Sequence, residues 1–107
     1  MAVAILLEWP GLTQQQYEQA MKELQLDANP PAGGMFHVAG PMTGGWRIVD
    51  VWESAEAFQR FSEERIIPAV TKIGITTQPR VEVYPAHNVY IPATSSIASL
   101  GASSLPR

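Results

Sequence analysis

The chain has 107 residues, 46% of them hydrophobic and 16% charged, with a formal net charge of −3 and no cysteine. That length fits one domain with one modest core. The charge balance argues against a nucleic-acid binder, which carries a basic stripe. The missing cysteines exclude disulfides, thiolate catalysis and Cys-built zinc sites, and fit a cytoplasmic protein. The charged fraction is low for a small monomer with all its surface in water, so part of the surface is expected to meet a second subunit or to line a cavity. The start MAVAILLEWPG lacks the basic n-region of a signal peptide, and no apolar run is long enough to be a transmembrane helix.

Residues 3–9, VAILLEW, read as a strand that Pro10 and Gly11 stop. In LTQQQYEQAMKEL, Thr13 is an N-cap, Gln16 completes a capping box, and Leu12 with Tyr17 forms a hydrophobic staple. Tyr17, Ala20, Met21 and Leu24 follow the spacing of an amphipathic helix. DANPPAGG is a loop by composition. Residues 35–39 and 46–52 alternate and flank GPMTGG, which predicts a β-hairpin with a longer turn. Ser54 caps a second helix with Glu56 in its first turn. Its apolar stripe runs through Phe58, Phe61, Ile66, Ala69, Val70 and Ile73. Pro68 should kink or restart it, and Gly74 should stop it. RVEVY, residues 80–84, is a fourth strand.

The order β-α-β-β-α-β predicts a ferredoxin-like α+β fold over residues 1–92, with two helices on one face of a four-stranded antiparallel sheet. The other face is left open and calls for a partner, giving a homodimer. Residues 93–107 are Ser- and Ala-rich. They read either as a tail or, together with the stretch from Pro85 that precedes them, as a dimer arm using Val89, Tyr90, Ile91, Ile97 and Leu100.

Alternation divides the sheet residues into two sets. Val3, Ile5, Leu7, Phe36, Val38, Val49, Val51, Val81 and Val83 form a plain apolar set, expected beneath the helices together with Arg47 at a strand end. Leu6, Glu8, His37, Trp46, Ile48, Asp50, Trp52, Arg80, Glu82 and Tyr84 then fall on the open face. Covered by a second subunit, that face would be an aromatic-walled ligand pocket with a few polar groups.

His37 is the candidate general base, because imidazole titrates near neutrality. Ile48 is expected across from it and Asp50 one step away, where a carboxylate would orient the ring. Trp46 and Trp52 would wall an aromatic ligand by stacking, with Ile48, Leu6, Glu8 and Tyr84 beside them. The competing reading makes His37 a structural histidine and lets Asp50 pair with Arg80. Glu8 and Glu82 could pair across adjacent strands. His87 is a second candidate, better read as a loop residue. The spacing gives no metal signature, and the glycines match no phosphate-binding fingerprint.

The element order, the run GWRIVDVWESAEAFQRF and the later VEVYPAHNVY resemble the dimeric α+β barrel superfamily. Within it they look like the antibiotic-biosynthesis-monooxygenase-like branch, and most like its uncharacterised actinobacterial-type members. The motif W-E-S-x-E-A-F at Trp52 to Phe58 marks the fold more than a reaction. The resemblance implies a homodimer with sheets face to face, and a cavity between sheet and helices or within the barrel. Members include cofactor-free quinone-forming monooxygenases, haem-degrading enzymes, small isomerases, dehalogenase-like proteins and stress-related binding proteins. Residues 55–73 lack the second-helix histidine of haem-binding members, and Glu8 and Trp9 stand where the haem degraders carry Asn.

These readings lead to a small-molecule-binding dimeric barrel protein, a cofactor-independent monooxygenase or isomerase acting on an aromatic or polyketide-like compound. In it His37 is the base, Asp50 orients it, and neither metal nor cofactor takes part. The alternative is a non-enzymatic binding or stress-response protein whose sheet face is only a dimer interface.

Overall fold

A computed structural model describes residues 1–92. The elements run β1 (Val3–Pro10), α1 (Gln14–Leu24), β2 (Gly34–Met42), β3 (Gly45–Trp52), α2 (Ala55–Phe61), a π-helical turn (Ser62–Ile66), α3 (Ile67–Lys72) and β4 (Arg80–Pro85). The strands form one antiparallel sheet in the order β2-β3-β1-β4, as the ferredoxin-like order requires. The readings placed on Ile97 and Leu100 lie outside the described residues.

Helix α1 starts as its sequence predicts. The Thr13 hydroxyl accepts from the Gln16 N–H, and the Gln16 side chain accepts from the Thr13 N–H. Ala20 and Leu24 are buried, and Leu12 and Tyr17 pack in the same core. The second helical run departs from an ideal helix where Pro68 demands it. Proline lacks an N–H and its ring crowds the carbonyl four residues back. The chain widens into the π turn, in which the Ile67 N–H reaches back to the Ser62 carbonyl, and then resumes as α3. Gly74, at φ 85°, ends it.

The hairpin departs from expectation in two ways. Its turn is short: Met42 pairs with Gly45, leaving Thr43 and Gly44 at the tip, and Gly44 takes φ 75°. Within the hairpin the alternation holds, with Val38 opposite Val49 and Phe36 opposite Val51. The face that meets the helices is the reverse of the expected one. Ile5 pairs with Asp50, Leu7 with Ile48, and Trp9 with Trp46, so the His-Trp-Asp-Trp set joins the inward residues of β1.

Volume explains the reversal. Trp9, Trp46, Ile48 and Trp52 are all buried and build the core with Phe58 and Leu12. Valines alone would leave that space unfilled, at the cost of lost dispersion contacts. The outer face instead carries Val38 and Val49, both substantially exposed, with Phe36, Val51, Leu6 and Tyr84. On β4 the expectation stands: Val81 and Val83 pair with inward Leu7 and Ile5, although both remain half-exposed on this edge strand.

Candidate functional site

A cavity of about 730 Å³ lies between the sheet and the helices. That is ample for a small organic ligand. Leu7 and Trp9 line it from β1, and Ile48, Asp50 and Trp52 from β3. Tyr17, Phe58 and Phe61 come from the helices, and residues 76–79 from the loop before β4. The Trp9 indole N–H anchors that loop through the Thr77 carbonyl and hydroxyl oxygens, 3.1 Å from each. Asp50 is the one charged side chain among the described lining residues, which include no Lys, Arg or Glu.

Three residues expected at the site meet at this wall. Asp50 lies directly opposite His37, and Ile48 opposite Ala39, so the expected pairing of His37 with Ile48 is shifted by two residues, which keeps the alternation. His37 Nδ1 is 2.7 Å from Asp50 Oδ1, and the Trp52 indole N–H donates to Asp50 Oδ2 at 3.0 Å. Asp50 is 6% exposed, so both oxygens are satisfied where water is scarce. A carboxylate only accepts, so His37 carries its hydrogen on Nδ1 and presents a lone pair at Nε2. The imidazole remains 36% exposed.

That lone pair has a partner that sequence reasoning missed. Tyr17 Oη lies 2.5 Å from His37 Nε2. The two ring planes are parallel to within 3° and their centroids are 6.1 Å apart, so the rings meet end to end through the hydroxyl rather than face to face. The other ring neighbour of Tyr17 is Trp46, centroids 5.3 Å apart. Burial first, and then the Asp50 charge, push the Tyr17 phenol up to about 12. In the sequence Tyr17 reads as part of a staple and of a helix stripe. The available signal was chemical: a half-buried tyrosine needs a partner for its hydroxyl.

The remaining candidates separate. Trp46 shares the His37 face but is packed away, outside the cavity lining, with an indole N–H that finds no partner among the described residues. Leu6, Glu8 and Tyr84 sit on the opposite face of the sheet and do not line the cavity, because the hairpin is turned over relative to the expectation. Glu8 bonds Arg47 at 2.8 Å and lies 3.9 Å from Arg80, which itself bonds Glu82 at 3.0 Å. The suggested Glu8–Glu82 and Asp50–Arg80 pairs are therefore replaced by ion pairs on the outer face, and Arg47 lies there rather than beneath the helices. His87 is exposed beyond β4. Among the described residues no three His, Asp or Glu side chains are grouped to hold a metal ion.

No protein-family model matches the chain, and no curated protein matches it. Solved structures do match. One is SnoaB from Streptomyces nogalater, a cofactor-independent oxygenase, with 12% identity and TM-score 0.58 over 82% of this chain and 94% of that one. The fold is ferredoxin-like α+β, shared with structures described as putative antibiotic biosynthesis monooxygenases, such as one from Caulobacter crescentus (TM-score 0.62, 12% identity, covering 81% of this chain and 91% of that one). Rv0793 from Mycobacterium tuberculosis aligns with TM-score 0.63 and 10% identity over 83% of this chain and 98% of its own. A hydroxynitrile lyase from Passiflora edulis aligns with TM-score 0.56 and 12% identity, covering 84% and 97%. Identities this low carry the fold and leave the reaction to the site.

Proposed function

We propose that this protein binds a small aromatic or polyketide-like compound between sheet and helices and acts on it by cofactor-independent acid–base chemistry, as a monooxygenase or isomerase. The carrying observation is the His37–Asp50 pair, 2.7 Å apart on the wall of the cavity. His37 serves as the base, and Asp50, held by Trp52, fixes its tautomer and orientation. An oxygenase of this kind needs a base that makes a carbanion able to react with dioxygen itself. The likeness of fold to a cofactor-independent oxygenase supports the same reading.

The working unit in this proposal is a homodimer. Val38 and Val49 are 50% and 38% exposed on the outer sheet face, and a second copy would cover them. Two measurements test the function. Native mass spectrometry of freshly purified protein should show a co-purifying small molecule that His37→Ala loses while the protein stays folded. Dioxygen uptake with dihydroxynaphthalene as probe should exceed autoxidation for the wild type and return to it for His37→Ala. Uptake equal in both proteins sinks the role given to His37.

A further inference from the structure

Resting on that reading, we infer that Tyr17 is the group that touches the substrate proton, and that His37 acts through it. With Nδ1–H donated to Asp50, the one free ring-nitrogen lone pair of the neutral imidazole is on Nε2, and the Tyr17 hydroxyl occupies it. A substrate in the cavity therefore cannot reach Nε2 while this bond persists. It can reach the phenol oxygen, because Tyr17 lines the cavity and an O–H that donates still has lone pairs to accept with. The order Tyr17 hydroxyl, His37, Asp50 is that of a hydroxyl–imidazole–carboxylate triad, with phenol in the place of the alcohol.

The step balances without an oxidant or reductant. The substrate's C–H or O–H bond breaks and its proton passes to Tyr17 Oη. The former Tyr17 hydrogen passes to His37 Nε2, and the electron pair stays on the substrate as an enolate, phenolate or carbanion. His37 becomes an imidazolium whose Nδ1–H stays on Asp50. Geometry favours a coupled transfer, since Tyr17 Oη and His37 Nε2 are only 2.5 Å apart. Burial favours it too: a free Tyr17 phenolate is inaccessible near neutral pH.

The wall also restricts the substrate class. With no Lys or Arg among the described lining residues, nothing there pairs a phosphate or carboxylate. The substrate is neutral when it binds, flat and mostly apolar, and a weak carbon or hydroxyl acid. Its negative charge develops beside the imidazolium that its own proton creates.

Nitrobenzisoxazole is a suitable probe: neutral, flat, and opened to a coloured cyanonitrophenolate when a base removes its ring C–H. Wild-type protein should accelerate the opening with saturation. Tyr17→Phe should lower kcat about 100-fold, at the low end for a general acid–base group, with KM unchanged. His37→Gln should lower it at least as much. If His37→Gln is slow but Tyr17→Phe keeps wild-type kcat, His37 is the base and the relay is wrong. If Tyr17→Phe is faster than wild type, Tyr17 merely caps the imidazole and the relay is equally wrong. No acceleration by the wild type removes the base reading of the whole site and the relay with it. Should Tyr17→Phe fail to fold, replacing Tyr17 with difluorotyrosine keeps the shape and changes phenol acidity. The relay requires kcat to change at fixed KM, and a constant kcat overturns it.

Discussion

Asp50 takes two ring N–H groups on its two oxygens, one from His37 and one from Trp52. An amide in its place has one accepting oxygen and one donating nitrogen. Asp50→Asn can keep the Trp52 bond only by turning its NH₂ toward His37, which drives the imidazole hydrogen from Nδ1 to Nε2. Nitrogen NMR of His37 should show that exchange of tautomers in the variant. Urea unfolding should show a loss of about 1–3 kcal/mol, because charge-assisted bonds become neutral ones. An unchanged tautomer would mean that Asp50 does not orient the ring. Tyr17 gives a second prediction at this scale. Its phenol rises from 10.0 to about 12 in the folded protein, so between those values the folded state holds a proton that the unfolded state has lost. Its contribution to stability is complete below the lower value and disappears as pH rises through the upper one. Denaturation of wild type and Tyr17→Phe from neutral pH upward should show the wild type losing its relative advantage across that alkaline window.

Among the elements, the hairpin shows what alternation can and cannot decide. A period of two separates residues into two faces, but it does not say which face is inside. His37, Asp50 and the tryptophans were therefore legible as a set, while their side of the sheet was not. The inside was decided by the volume of Trp46 and Trp52 and by the satisfied state of Asp50, neither of which appears in a pattern of apolar and polar letters. The caps at Thr13 and Ser54 were legible because capping is local. The Tyr17–His37 contact was not, since it joins residues twenty positions apart through tertiary packing. Gly45 offers a clean element-level test. A Cβ there would lie 2.3 Å from the Trp9 carbonyl oxygen, backbone that cannot move without breaking the β1–β3 ladder. A Cβ at Gly40 would meet nothing within 4 Å. Gly45→Ala should destabilise by roughly 2–4 kcal/mol, in the range of mutations with a named steric cause. Gly40→Ala should be nearly silent in thermal unfolding. Equal effects would mean that β1 and β3 do not approach each other as described.

For the molecule as a whole, the two faces of the sheet divide the work. The inner face and the helices line the cavity, and Tyr17, His37 and Asp50 of one copy all stand on its wall. The outer face presents Val49, with Leu6 and Val38 as its cross-strand neighbours, beside a rim of Glu8, Arg47 and Arg80. The proposed dimerisation through that face and the proposed chemistry in the cavity are therefore testable separately. Val49→Lys puts a charge at a directly paired position of the apolar face, where a partner copy would have to bury it without a counter-ion. Sedimentation should show the wild type as a dimer and this variant as a monomer, with the fold retained because Val49 is already 38% exposed. Ring opening of nitrobenzisoxazole should survive in that monomer. A variant that remains dimeric would move the interface elsewhere, and a monomer without turnover would show that the second copy completes the cavity.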